Sequence, residues 1–281
     1  GVVMKYTSNR LFCLLGDKVD NSLSPVIHNS FFNYYDISGF YIPLNVSQSN
    51  LEDIVLLLNK LNFQGANVTI PHKENIIKFL DVLDPVAEQI HAVNTILRKN
   101  DKLIGYNTDI GGFLEPLDRK ISSLNNKKIL ILGAGGVAKA VFHALITKNC
   151  KEIVILNRTV ENIKKLFHND DSSTKLSYDV LTQQNLDALF DVDVIINTIP
   201  LSRTGTNFEF NNLKSDISLA YDLEYIPKET NFIKKMKMLD AEIVYGYEML
   251  LSQAKLSFQI WNDVMPDENI IHDKILSLLS D

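Results

Sequence analysis

Residues 128–146 read KILILGAGGVAKAVFHALI. An apolar run, Lys128 to Leu132, passes without a break into Gly133-Ala134-Gly135-Gly136-Val137-Ala138, after which the spacing of apolar residues becomes helical. The glycine-rich segment has the spacing G-x-G-x-x-A between a strand and a helix, the setting in which that spacing carries chemical meaning. The first glycine permits the tight turn, the second lets a pyrophosphate approach the backbone, and the small sixth residue lets helix and strand pack closely. The free N–H groups and the positive end of the helix then face the phosphates. A merely structural turn is the alternative. The strand-to-helix setting and a second strand ending at Asn157, 24 residues after Gly133, favour a dinucleotide site.

That second strand ends in Asn157-Arg158-Thr159. Sites that prefer NAD place a carboxylate here for the ribose 2′-hydroxyl, and this chain has none. Arg158 can instead pair bidentately with a 2′-phosphate and stack its guanidinium on adenine. NADP is therefore the expected cofactor. The competing reading makes Arg158 an ordinary solvated side chain at a strand end.

Working outward, short apolar runs alternate with amphipathic stretches along most of the chain, which predicts an α/β fold. Strands are expected at 10–16, 39–46 and 65–70, with helices at 24–36 and 50–62. A hairpin at 92–107 and a helix near 110–118 follow. A second series has strands at 128–133, 152–157, 193–198, 219–225 and 242–246. Ser24 before Pro25 reads as a helix cap and first-turn pair. Near the end, Leu250, Ala254, Phe258 and Trp261 fall at helical spacing and form one apolar stripe. With 281 residues, 46% of them hydrophobic, the chain is long enough for two domains.

The net charge of −6 argues against nucleic acid as a partner. Cys13 and Cys150, the two cysteines, show no disulfide or zinc spacing, so no metal and a reduced cytoplasmic setting are expected. No apolar run reaches the length of a membrane span, and the first ten residues lack the apolar core of a signal peptide. Gly1–Val3, before Met4, read as a cloning remnant.

The first half holds four segments of one kind, NSLSPVIHN (21–29), GANVTIPHK (65–73), AVNT (92–95) and GYNTD (105–109). Each places small polar groups, a lysine or a carboxylate at the end of an apolar stretch. In open α/β sheets ligands bind outside the carboxyl ends of the strands. Lys73 delivered there, with Asp109 from another segment, suits acid–base work in carbonyl/alcohol redox chemistry. Read singly, Lys73 would be a surface turn residue and Asp109 a helix cap. His28, His72 and His91 have no metal-ligand spacing.

Taken together, SLSP followed by HN, GANVTIPHK, AVNT, GYNTD, GAGGVAKA, NRT and GYEMLLSQA (246–254) resemble the shikimate dehydrogenase family, in the family order and across both halves. The resemblance implies two α/β domains with a cleft between them. A substrate domain with a mixed sheet (1–109 and 246–281) would be interrupted by a Rossmann-like doubly wound NADP domain (110–245). It implies reversible NADPH-dependent reduction of 3-dehydroshikimate to shikimate in aromatic amino-acid (chorismate) biosynthesis. Lys73 would be the acid–base residue and Asp109 its orienting partner. Ser22, Ser24 and Thr69 would bind the substrate carboxylate. Asn94, Asp109 and Gln253 would take the ring hydroxyls, with Tyr225 near substrate and nicotinamide. Gly133–Ala138, Asn157, Arg158, Thr159 and Gly246 would hold the cofactor. The partner is a small molecule, with neither nucleic acid nor membrane involved, and the protein a monomer or homodimer.

The chain departs from the family pattern at four places. Asn162 stands where a second arginine is usual, leaving Lys164 or Lys165 as substitutes; TIPLSR (198–203) adds Arg203 to a loop expected near the nicotinamide; Glu248 replaces a glycine; and Asn21 replaces a histidine. Two other functions fit parts of the pattern. A quinate/shikimate dehydrogenase of broader specificity is countered by the paired serines at 22 and 24. A non-catalytic dinucleotide-sensing protein is countered by Lys73 and Asp109.

Overall fold

A computed structural model describes residues 10–167, 173–213 and 217–280; Gly1–Val3 lie outside the described residues. The chain divides into two compact units, Gly1–Thr108 with Gln253–Ile275 and Asp109–Ser252 with Leu276–Asp281. The later junction falls inside the helix Gly246–Asn262, seven residues beyond the position 246 taken from the sequence.

The first unit is built on a six-stranded mixed sheet. Its strands are β1 (Leu11–Gly16), β2 (Phe40–Asn45), β3 (Gly65–Val68), β4 (Val82–Leu83), β5 (Thr95–Lys99) and β6 (Lys102–Tyr106), in the order β2-β1-β3-β5-β6-β4. β1 runs parallel to β2 and β3, whereas β5 is antiparallel to β3 and β6. Because side chains alternate across a strand, β1 sends Cys13 and Leu15 into one core with Val55, Val68 and Ile96. Phe12 packs on the other face, its ring centroid 5.0 Å from Phe32 and 4.9 Å from Trp261. The expected C-terminal stripe buries Ala254, Phe258 and Trp261, but Leu250 is only half-buried and Leu251 takes its place. Truncating Phe258, which is fully buried, would cost about 3–5 kcal/mol. Gly65 has no alternative here, since a Cβ would lie 2.3 Å from Trp261 Nε1.

The second unit is a parallel sheet of β7 (Lys128–Leu132), β8 (Glu152–Asn157), β9 (Lys175–Val180), β10 (Val194–Asn197), β11 (Leu219–Asp222) and β12 (Glu242–Val244), ordered β12-β11-β10-β7-β8-β9. This is the doubly wound nucleotide-binding order, with the direction of winding reversing at β7. Ile129 and Ile131 enter one core while Leu130 and Leu132 enter the other. A strand covered on both faces has no polar side, which is why Lys128–Leu132 reads as an unbroken apolar run.

Several elements are shorter than the sequence suggests. β3 stops at Val68 rather than residue 70, and β11 at Asp222 rather than 225, because in each case the backbone turns into a loop closed by local hydrogen bonds. Ser24 is the first helical residue rather than the cap. The Ser22 hydroxyl accepts its N–H at 3.2 Å, so the capping bond comes from two residues earlier. A strand at Lys175–Val180 and a helix at Asn231–Met238 had no expectation in the sequence reading.

Candidate active site

The nucleotide turn is fixed from beneath. Gly133 N–H donates to Leu156 O at 2.8 Å, and Asn157 Oδ1 accepts from Ala134 N–H at 3.2 Å while its amide donates to Thr159 O at 2.9 Å. Asn157 thus joins the ends of two neighbouring parallel strands. Gly133 has φ +102°, a conformation that side chains disfavour, and a Cβ there would lie 2.3 Å from Thr198 Oγ1. Gly135 differs. Its backbone is extended (φ −84°, ψ −168°), and an added Cβ would meet no protein atom within 4 Å. The space over Gly135 is open, at the start of the eleven-residue helix Gly136–Ile146. An open, backbone-lined cradle at a helix N-terminus fits a dinucleotide pyrophosphate. Val137 is half-buried and Ala138 fully buried. Arg158 and Thr159 are exposed at the end of β8.

In the first unit, β3 leads into Thr69-Ile70-Pro71-His72-Lys73. The expected strand 65–70 would bury Ile70, but Ile70 is 62% exposed. The anchors are His72, buried with a ring nitrogen 2.6 Å from Val46 O, and Ile76, buried in the core. Thr69 N–H donates to Leu15 O, and His72 N–H closes the turn on Thr69 O. Lys73 is half-buried, and its carbonyl accepts from Val93 N–H at 2.8 Å. That bond sets Lys73 beside Asn94, the next residue along.

Asn94 is buried in a hydrogen-bonded cluster. Its Oδ1 accepts from Thr108 N–H and from the Thr95 hydroxyl, and its amide donates to Thr108 Oγ1 at 2.8 Å. Thr108 Oγ1 and Ser257 Oγ both reach Gln253 O at 3.1 Å, so the backbone carrying Gln253 is tied to the segment carrying Asn94. Gln253 itself is half-buried. Ser24 is buried, and the Tyr41 hydroxyl donates to Asn67 Oδ1 at 2.9 Å. Ser22, Ser24, Thr69, Lys73, Asn94 and Gln253 therefore all belong to the first unit.

Asp109 and Tyr225 belong to the second unit. Asp109 is buried as the first residue of the helix Asp109–Lys120, where its charge complements the helix dipole. Tyr225 is half-buried in the loop after β11; burial raises its phenol above the ordinary value and the nearby Arg203 charge lowers it in part. The non-family residue Arg203 thus lies close enough to act on Tyr225. The loop rests on Asp222, fully buried, which accepts from Asn197 Nδ2, Glu224 N–H and the Thr230 hydroxyl. Burial pushes the Asp222 carboxyl up to about 6 despite those donors.

Gly246 is held by packing: a Cβ would lie 2.6 Å from Leu223 O and 2.7 Å from Glu224 O, in the Tyr225 loop. Glu248, in place of a glycine, accepts from Tyr245 N–H at 3.0 Å and so caps its helix. Tyr41, Asn67, Thr95, Thr108 and Ser257 escaped the sequence reading. Asn67 gave a usable signal, a carboxamide inside an otherwise apolar strand. Among the described residues no group of His, Cys, Asp and Glu is placed to hold a metal, and no helix is long and apolar enough to cross a membrane.

Residues 14–96 match the family profile of the shikimate dehydrogenase substrate binding domain, and residues 115–204 that of shikimate / quinate 5-dehydrogenase. The chain is 39% identical over 278 residues to the shikimate dehydrogenase (NADP(+)) of Methanococcus maripaludis, covering 96% of this chain and 98% of that one. A shikimate dehydrogenase crystallised with NADP+ superposes with a TM-score of 0.87 at 33% identity, over 97% of this chain and 96% of the other. The shikimate 5-dehydrogenase of Listeria monocytogenes, crystallised with shikimate and NAD, gives 0.85 at 28% identity, over 95% and 96%. Seven motifs in order, one mixed and one doubly wound sheet, and likeness over nearly the whole length lead to one conclusion: the chain belongs to the shikimate dehydrogenase family.

Proposed function

We propose that the protein catalyses the reversible NADPH-dependent reduction of 3-dehydroshikimate to shikimate, as a monomer or homodimer in the cytoplasm. The observation that carries this reading is the bond from Val93 N–H to Lys73 O, which ties the Lys73 backbone to the segment bearing the buried Asn94, just ahead of β5. An ammonium and a carboxamide so placed suit a ring bearing a ketone and hydroxyls.

NADPH, when bound over Gly133–Ala138 with Asn157, Arg158, Thr159 and Gly246 around it, supplies the hydride. The protein's own residues do the rest. Ser22 and Ser24, with Thr69, bind the substrate carboxylate. Asn94 and Gln253 hold ring hydroxyls, and Tyr225 contributes to the same ligand. As the ketone becomes an alkoxide, Lys73 Nζ gives it a proton and its charge stabilises the developing anion. Asp109 accepts hydrogen bonds from the same region and orients it. In the oxidation direction Lys73 takes the proton back.

Lys73→Ala tests the assignment. Loss of a positioned acid–base group costs about 10²–10⁴-fold in turnover. The variant should melt at the parental temperature and bind NADPH with parental affinity while losing that activity. A near-parental kcat on shikimate would remove Lys73 from the reaction.

A further inference from the structure

Resting on the substrate reading above, we infer that the hydroxyls of Thr95 and Ser257, joined through Asn67, are positioning groups that fix Asn94 and the Gln253 backbone for the ring hydroxyls of the substrate.

The first unit contains one continuous chain of buried polar groups. It starts at Tyr41, whose hydroxyl reaches Asn67 Oδ1, and continues from Asn67 Nδ2 to Asn94 O at 3.1 Å, Thr95 Oγ1 at 3.1 Å and Ser257 Oγ at 3.0 Å. Thr95 and Ser257 lie 2.8 Å apart, oxygen to oxygen. The chain then reaches Asn94 Oδ1 from Thr95 and Gln253 O from Ser257. Thr95, Ser257 and Asn67 are 0%, 0% and 5% exposed, so water does not replace a lost partner there.

The carboxamides have one consistent direction, while the proton between Thr95 Oγ1 and Ser257 Oγ can lie on either oxygen. Burial raises the Tyr41 phenol far above its ordinary value, so Tyr41 stays protonated and donates to Asn67 Oδ1. Asn67 must then present Nδ2 to Thr95, Ser257 and Asn94 O. The Thr95 hydroxyl, receiving from Asn67, donates to Asn94 Oδ1, which also accepts Thr108 N–H. Asn94 Oδ1 is thereby committed to the protein, and the carboxamide is held in one orientation, amide nitrogen toward Thr108 Oγ1. An interior amide free to flip would present either end to a ligand; this one does not. Residues from β3, from β5 and from the C-terminal helix converge on it, so the helix bearing Gln253 is set in register with the strand bearing Asn67.

The test uses Thr95→Val, which keeps volume and removes the hydroxyl, Thr95→Ser, which does the reverse, and Ser257→Ala, each alone and combined with Asn94→Ala. Loss of one buried hydrogen bond corresponds to about twofold to tenfold in affinity. Thr95→Val and Ser257→Ala should raise KM for shikimate by that factor with KM for NADP+ unchanged, and Thr95→Ser should stay at the parental KM. Added to Asn94→Ala, Thr95→Val should not raise KM much further, because the residue it acts through is gone, whereas Ser257→Ala, which removes the bond to the Gln253 carbonyl, should still raise it. Parental KM in folded Thr95→Val and Ser257→Ala, equal loss in Thr95→Ser, or full additivity of Thr95→Val with Asn94→Ala would each overturn the inference while leaving the role of Asn94 intact. A parental KM in Asn94→Ala alone would overturn both. Should Thr95→Val fail to fold, Ser257→Ala decides: a raised KM for shikimate at parental KM for NADP+ supports the inference, and a parental KM for shikimate overturns it.

Discussion

Gly135→Ala and Gly133→Ala make the same chemical change two residues apart and should fail in opposite ways. At Gly135 the backbone is extended and a Cβ meets nothing within 4 Å, so the native fold accepts alanine without strain. Reduced freedom of the unfolded chain stabilises by about 0.4–1 kcal/mol, and alanine's poorer capping at this first position of the helix offsets a similar amount. The net change is within about 1 kcal/mol, or roughly 2–4 °C in Tm for a chain of this size. The methyl group, however, fills the space assigned to the pyrophosphate. Displacing one or two charge-assisted bonds of about 1.5–3 kcal/mol each weakens NADPH at least about tenfold. At Gly133 alanine would carry φ +102° and sit 2.3 Å from Thr198 Oγ1 and 2.8 Å from Ile199 Cγ1. Strain of about 1–2 kcal/mol and overpacking of about 1–3 kcal/mol add to roughly 2–5 kcal/mol of lost stability. Thermal melts without ligand and fluorescence titration with NADPH separate the cases. If Gly135→Ala bound NADPH with parental Kd, the phosphates would lie elsewhere.

Three further outcomes can be measured. Arg158→Ala should lower kcat/KM for NADP+ about tenfold to a hundredfold, the worth of an exposed charge-assisted phosphate contact, and change NAD+ by only a few fold through lost stacking; equal losses would make Arg158 a stacking residue. Ser22→Ala and Ser24→Ala should raise KM for shikimate at little changed kcat, because a carboxylate contact differs little between ground and transition states; unchanged KM values would remove the clamp. His28, fully buried against Tyr41 at 4.5 Å between ring centroids, has its pKa pushed down by burial from 6.5 to about 3. Its neutral form is favoured in the fold, so its contribution is complete above pH 6.5 and is lost as pH falls toward 3, about 5 kcal/mol in all; His28→Phe should flatten the acid limb of a Tm–pH curve, and a parallel curve would refute the shift.

What could be read from sequence alone follows from what each segment has to do. Lys128–Ala138 was legible because a strand covered on both faces, a turn needing glycine and a close helix contact all constrain the same few positions. The edge of the same parallel sheet was less so. Strand Lys175–Val180 is an edge strand with exposed Tyr178 and Val180 and a lysine at its start, so it lacks the apolar run that marks interior strands. The end of strand 65–70 is not legible from apolar character, because Ile70 faces solvent and the turn is held by the His72 ring and by backbone bonds. Ser257 could not be found by spacing: its partners Asn67, Thr95 and Thr108 lie 190, 162 and 149 residues away, and only folding brings them together. Gly246, read as a cofactor contact, also has a packing role that no motif displays.

The central claim is tested most directly by initial rates of the purified protein with shikimate or quinate against NADP+ or NAD+, followed through the absorbance of the reduced nicotinamide. The account predicts the highest kcat/KM for shikimate with NADP+, a loss on exchanging NADP+ for NAD+, and a loss on exchanging shikimate for quinate. Equal or higher kcat/KM with quinate, or no reduction of either cofactor in the presence of shikimate, would contradict it.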